Sequence, residues 1–225
     1  MIELKHVTKS YGSMLLFKDV TASFGDGCVH LVTGRNGSGK STLLRLIGGL
    51  VQPDSGEVAF SDVNAQIGYL GHVTFLYPGL TAEENLSFWQ RSSGRSAVER
   101  DILSMLDHVG LLPFAHTRAA VFSRGMAQRL SLARILLLKP EILLLDEPET
   151  GLDTASRALL EGEVHAARDR GACVLWVSHQ AAERGHADAV YELSGRRLHC
   201  ILPDSATAET ESGEQGEQVP GEAAC

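Results

Sequence analysis

The nine residues "GRNGSGKST", 34–42, limit the fold more than any other stretch of this chain. They follow a short apolar run, "VHLVTG", and open a helical one, "KSTLLRLIGGL". A buried strand must therefore turn sharply through glycines into a helix, which is the βα unit of an open α/β sheet. The run matches G-x-x-x-x-G-K-[ST] in full. Its glycines let successive backbone N–H groups wrap an anion, and the helix N-terminus adds a favourable field. On this reading Gly34, Arg35, Asn36, Gly37, Ser38 and Gly39 cradle a phosphate chain, and Thr42 closes the motif. Lys40 reaches the β- and γ-phosphates, and the Ser41 hydroxyl holds Mg²⁺.

The remaining pattern is consistent with such a sheet. "EILLLDEP" and "CVLWVSH" are continuous apolar runs of strand length, as parallel strands covered on both faces require. "IELKHV", "FKDVTASF", "GEVAF" and "QIGYLG" read as further strands, and "AVYEL" and "RLHCIL" as a hairpin joined by Ser194-Gly195. Between His72 and about Leu138 the pattern turns helical, so a helical subdomain, about 73–138, is expected inside the α/β domain of residues 1–202. Thr81 with Glu84, and Ser96 with Glu99, have capping-box spacing. Gly110 and Pro113 mark the end of the second of these helices.

Two carboxylates stand at the end of "ILLLDEP". Asp146 ends a buried apolar run, where an ionised carboxylate is costly unless it serves a cation. Glu147, next to it, is placed to polarise an attacking water. Helix capping by the acidic pair is the plainer alternative, and the phosphate-binding loop favours catalysis. His179 ends the next apolar strand at the carboxyl edge where open α/β sheets bind ligands. It reads either as a γ-phosphate contact or as a satisfied polar residue. Tyr11, after the first strand, can stack on adenine or serve as an ordinary turn tyrosine. "FSRGMAQRL", 122–130, reads as a helix start capped by Ser123. Gly125 lies in its first turn, where glycine costs about 1 kcal/mol relative to alanine, so a close approach to this backbone is expected.

Taken in order, Tyr11, "GRNGSGKST", "GYLGH", "FSRGMAQR", "LLLDEP", "TGLD" and "SH" resemble the nucleotide-binding subunit of ABC transporters over roughly residues 2–200. The resemblance implies an α/β P-loop ATPase core: a mostly parallel sheet with helices on both faces, N-terminal antiparallel strands and an inserted helical subdomain. It also implies ATP and Mg²⁺ as cofactors, and a homodimer in which Ser123 and Gly125 contact the γ-phosphate held by the opposite subunit. Carried over in the same way, Tyr11 is the adenine-stacking residue and Asp153 the inter-subunit loop residue. A separate transmembrane permease is the implied partner, with the ATPase peripheral on the cytoplasmic face of the cell membrane. Two positions depart from the family pattern. Where the signature reads Leu-Ser-Gly-Gly-Gln, this chain has Phe122-Ser123-Arg124-Gly125-Met126. Where a glutamine contacts Mg²⁺ and water, it has His72, whose neutral imidazole can accept a hydrogen bond or approach a metal. "YLGH" followed by "LTAEENLSFW" is further similar to the ATPase subunits of cytochrome c maturation, the CcmA group, which implies haem export and CcmB/CcmC-like membrane partners. The Gln-Pro-Gly that commonly follows the histidine there is missing here.

Composition narrows the alternatives. The formal net charge of −8 is largely local. Residues 203–225 carry six acids and no Lys or Arg, and the rest of the chain is nearly balanced. No nucleic-acid-binding surface is expected, and this acidic tail reads as a disordered, solvated extension. No apolar run reaches the ~18–20 residues of a membrane span, and the first residues lack a signal-peptide layout. A soluble or peripheral cytoplasmic protein is the expectation. Cys28, Cys173, Cys200 and Cys225 show no metal spacing; two lie in apolar runs, where buried reduced thiols are expected. A soluble mechanochemical ABC protein would carry a long coiled-coil insertion or a tandem unit, and a GTPase an N-K-x-D motif. Neither is present in this sequence.

Overall fold

The computed structural model describes residues 1–71, 73–150, 152–178 and 185–202. His72, His179 and the acidic tail 203–225 lie outside the described residues. The two apolar runs form β6 (Ile142–Asp146) and β7 (Cys173–Val177), and both are buried throughout. They sit inside a six-stranded sheet with β5 (Ile67–Leu70), β3 (Val29–Thr33), β8 (Ala189–Ser194) and β9 (Arg197–Leu202), in the order β5-β6-β7-β3-β8-β9. All neighbours are parallel except β8 and β9, which form the expected hairpin. Its two-residue loop is Gly195-Arg196, one position beyond the expected Ser194-Gly195. Both loop residues have positive φ, 55° and 67°, as the tight turn that matches strand twist requires.

Alternate residues of β6 serve two separate cores. Ile142 and Leu144 face α1 (Lys40–Ile47) and the small antiparallel sheet, while Leu143 and Leu145 face α4 (Arg124–Leu136) and α5 (Thr154–Asp169). The small sheet has the order β2-β1-β4, from β1 (Ile2–Tyr11), β2 (Met14–Phe24) and β4 (Ser55–Phe60). Its buried residues step from Leu4 to Val7 and from Phe17 to Val20, three positions rather than two. A bulge absorbs each extra residue, with His6 at φ 52° and Asp19 at φ 55°. The His6 ring nitrogen Nδ1 lies 2.7 Å from the Asp19 carboxylate.

The helical stretch contains α2 (Ala82–Ser92), α3 (Glu99–His108) and α4, around a core of their own that includes Leu86, Ile102, Leu106 and Leu130. α4 also packs Leu132, Ile135 and Leu136 on the large sheet, so one helix belongs to both cores. The capping box of Thr81 and Glu84 forms, with Thr81 Oγ1 accepting from the Glu84 N–H and Glu84 accepting from the Thr81 N–H. The one expected for Ser96 and Glu99 does not: α3 starts at Glu99 behind Val98, with no side-chain cap. The Arg95 N–H bonds back to Gln90 O, and Ala97 packs against the helical core. The Arg95 N–H thus closes the end of α2, residues 95–98 belong to neither helix, and an extended Val98 takes the cap position expected for Ser96. α3 ends as expected at Gly110, with the Leu111 N–H returning to Leu106 O. Cys173 is buried as expected, whereas Cys28 is half-buried and Cys200 exposed on the last strand. That strand lies at the sheet edge, so its apolar run does not imply burial.

Candidate functional site

The 34–42 loop joins the carboxyl end of β3 to α1, beside the ends of β6 and β7. Gly39 caps α1 at φ 106°, and a Cβ there would lie 2.8 Å from the Phe17 ring. Only glycine fits both the backbone angle and that contact. The following Lys40 is 5% exposed, and its ammonium donates to Gly34 O at 2.9 Å and to Arg35 O at 3.4 Å. The side chain therefore lies back along the loop whose N–H groups form the cradle. A cavity of about 390 Å³ opens over it, lined by Tyr11, Leu16, Asn36, Gly37, Gly39, Lys40, Ser41, Thr42 and Glu147. Tyr11 is the last residue of β1, half exposed, with Lys9 Nζ 5.5 Å from its ring centroid. Ser38 Oγ is buried with no hydrogen-bond partner among the described residues.

Asp146, 1% exposed, ends β6 as the sequence indicates. Ser41 Oγ donates to its Oδ1 at 2.8 Å, across 105 residues of chain. A hydroxyl and a carboxylate at that separation are hard oxygen donors that suit Mg²⁺. Glu147 follows in a left-handed conformation, φ 49°, with its N–H donating to Val177 O at 3.0 Å. Lys40, Ser41, Asp146, Glu147 and Tyr11 are thus gathered at one edge of the sheet.

Ser123, Gly125 and Asp153 do not line this cavity. Ser123 caps α4 as expected, its Oγ accepting from the Met126 N–H at 3.2 Å. Asp153 caps α5 by accepting from the Ser156 N–H at 2.8 Å, and this bond holds its carboxyl below the usual range.

Several polar residues that the sequence reading passed over build the surroundings. Glu149 is 2% exposed and accepts from Ser178 Oγ at 2.6 Å and from Trp176 Nε1 at 3.2 Å. It ties the loop after β6, next to Glu147, to the end of β7, next to His179. Losing it would remove the carboxylate that two buried donors share. Glu149→Ala is therefore expected to lower stability by about 2–3 kcal/mol, read as a lower urea midpoint at unchanged slope. Tyr69, on β5, donates its hydroxyl to Asp146 Oδ2 at 3.0 Å. Burial, helped by the Asp146 charge, pushes its phenol up to about 12. Arg134, in α4, donates to Tyr69 O at 3.0 Å and lies 4.7 Å and 5.6 Å from the Trp89 and Phe75 ring centroids. Burial lowers its guanidinium to about 10, so it stays charged at neutral pH. The one available signal was a charged residue inside the apolar run of α4.

Comparison with known proteins identifies the family and the fold. The family model described as ABC transporter matches residues 17–150. The cytochrome c biogenesis ATP-binding export protein CcmA of Brucella abortus is 38% identical over 163 residues, 70% of this chain and 75% of that protein. The linearmycin resistance ATP-binding protein LnrL of Bacillus subtilis is 32% identical over 194 residues, 81% of this chain; the match spans 62% of LnrL's own length. Among solved structures, the dimeric ATP-binding cassette MJ0796 in a post-hydrolysis state with ADP and Pi superposes with a TM-score of 0.80. That match has 27% identity and covers 90% of this chain and all of that one. A family match over more than half the chain, with a solved cassette sharing nearly all of its fold, means that this protein belongs to the ABC transporter family as one of its ATP-binding subunits.

Proposed function

We propose that the chain binds and hydrolyses ATP to drive a separate transmembrane permease. The observation that carries this reading is the meeting of Lys40 and Ser41, from the loop before α1, with Asp146 and Glu147, from the end of β6: Lys40, Ser41 and Glu147 line one cavity, and Asp146 is bonded to Ser41 beside it. In this reading Gly34, Arg35, Asn36, Gly37, Ser38, Gly39 and Thr42 form the phosphate loop, with Lys40 on the β- and γ-phosphates. Ser41 and Asp146 hold Mg²⁺, which supplies charge neutralisation on the phosphates when bound. Glu147 orients and deprotonates the attacking water. Tyr11 stacks on adenine, His179 contacts the γ-phosphate, and His72 takes the glutamine's place beside the cation. Two copies pair so that Ser123, Gly125 and Asp153 of each complete the site of the other.

Residues 1–202 act as one ATPase unit with about 73–138 inserted, and 203–225 form an acidic tail. Among the described residues no helix is long and apolar enough to cross a membrane. The permease docks at the exposed aromatic cluster beside α2, where the Tyr77 and Phe88 rings meet edge-on with centroids 4.5 Å apart and Phe75 and Val73 stay open to solvent. A contiguous apolar patch of this kind marks an interaction surface. In this reading the ATPase is peripheral, on the cytoplasmic face of the cell membrane.

The transported substrate is haem, exported for c-type cytochrome biogenesis, a reading supported by the CcmA likeness together with "YLGH" and "LTAEENLSFW". Disrupting the gene is expected to remove covalent haem from c-type cytochromes and spare b-type haem proteins, read by haem staining of denatured proteins. Normal c-type cytochromes without a redundant copy would reject the haem assignment. An exporter of another molecule, as the LnrL likeness suggests, would then take its place.

A further inference from the structure

Asp146 presents two carboxylate oxygens, and the Mg²⁺ reading uses only the one beside Ser41. The other, Oδ2, accepts the Tyr69 hydroxyl proton at 3.0 Å. Tyr69 lies on β5, the strand next to β6, in register with Leu144. Its ring has little freedom. A Cβ at position 71 would lie 2.6 Å from its Cε1, so Gly71 leaves the space that the ring occupies. The Phe75 ring meets it edge-on, centroids 6.4 Å apart. From the backbone side, Arg134 holds Tyr69 O. That guanidinium has no carboxylate within ion-pair distance among the described residues, although burying an uncompensated charge is costly. Two aromatic faces and one carbonyl are its compensation, and both fix the segment that carries Tyr69. Arg45 lies beside the phenol and can only donate. With a cation on its far side, the phenol turns its single proton to Asp146.

We propose that Tyr69 is a positioning residue for the divalent cation. By occupying Oδ2 it stops the carboxylate from rotating, so that Oδ1 stays with the Ser41 hydroxyl on the cation side. The proposal rests on the reading of Ser41 and Asp146 as the Mg²⁺ residues.

Tyr69→Phe removes the hydroxyl and keeps the packing. Two measurements on the full chain test the proposal: binding of a fluorescent ATP analogue without divalent cations, and Mn²⁺ binding by electron paramagnetic resonance with a non-hydrolysable ATP analogue. The expected result is nucleotide affinity within twofold of the parent and Mn²⁺ affinity weaker by about tenfold, the size of one hydrogen bond to a charged group. Gly71→Ala, which keeps the hydroxyl on the chain but pushes the ring and with it the hydroxyl away from Asp146, is expected to weaken Mn²⁺ in the same direction. Unchanged or tighter Mn²⁺ binding in Tyr69→Phe, or an equal loss of cation-free nucleotide affinity, overturns the proposal. Ser41→Ala and Asp146→Asn separate this from the reading beneath it. If both weaken Mn²⁺ while Tyr69→Phe does not, only the role of Tyr69 falls. If neither does, the cation reading falls and the Tyr69 proposal with it.

Discussion

Glu147→Gln is expected to lower ATP turnover by about 10²–10⁴-fold, the usual contribution of a positioned general base, while ATP still binds. The expectation follows from where Glu147 stands. It comes directly after Asp146, lines the cavity over Lys40 and Ser41, and has its backbone pinned to Val177 O. Its left-handed φ of 49° is a conformation that costs on the order of 1–3 kcal/mol for a non-glycine residue. A surrounding lattice of bonds must hold it, and Glu149 supplies part of that lattice by joining the same loop to the end of β7. Glutamine has the same shape and the same backbone demands, so the substitution removes only the basic oxygen. Phosphate release and fluorescent-nucleotide binding, measured with the membrane partner present, separate the two effects. Near-normal hydrolysis would remove Glu147 from the mechanism, whereas loss of binding would mean that the substitution had damaged the phosphate site itself.

The second large effect concerns the start of α4. A mixture of Lys40→Ala chains with Ser123→Arg chains is expected to recover single-turnover hydrolysis that neither variant shows alone. Ser123 caps α4 and does not line its own chain's cavity, whose lining comes largely from the 34–42 loop. A helix N-terminus with a serine cap and a glycine in its first turn suits an anion, and a second copy is the natural source of one. If each site takes Lys40 from one chain and Ser123 from the other, a mixed dimer gathers both defects in one site and leaves the other intact. If both residues served the same site, every site would carry a defect. ATP-dependent closure of the mixed dimer, followed by size-exclusion chromatography, checks that the two chains have paired. Mixed dimers that close and remain inactive would overturn the trans assignment of Ser123 and Gly125.

The parts of this protein that could be read directly from the chain are those whose physics is local. A phosphate-binding loop is nine contiguous residues whose backbone angles demand glycine at set positions. The apolar runs of β6 and β7 announce burial on both faces, and Asp146 stands out because it ends such a run. Thr81 and Glu84 cap a helix because they are three residues apart. The same spacing at Ser96 and Glu99 misled, because α3 begins only at Glu99 behind an extended Val98, two residues later than such a box requires. Hydrogen bonds that span the chain leave no such mark. Tyr69 meets Asp146 across 77 residues, Glu149 meets Ser178 across 29, and Arg134 meets the Tyr69 carbonyl across 65. The first two depend on strand order, since β5 must lie beside β6 and β6 beside β7 before these groups can touch, and the third on α4 packing over β5. Strand order is set by packing two cores against opposite faces of the sheet, and no short stretch of residues encodes it. The chemistry was therefore written in the sequence residue by residue, and the bonds that hold the chemical groups in place arose only when the sheet assembled.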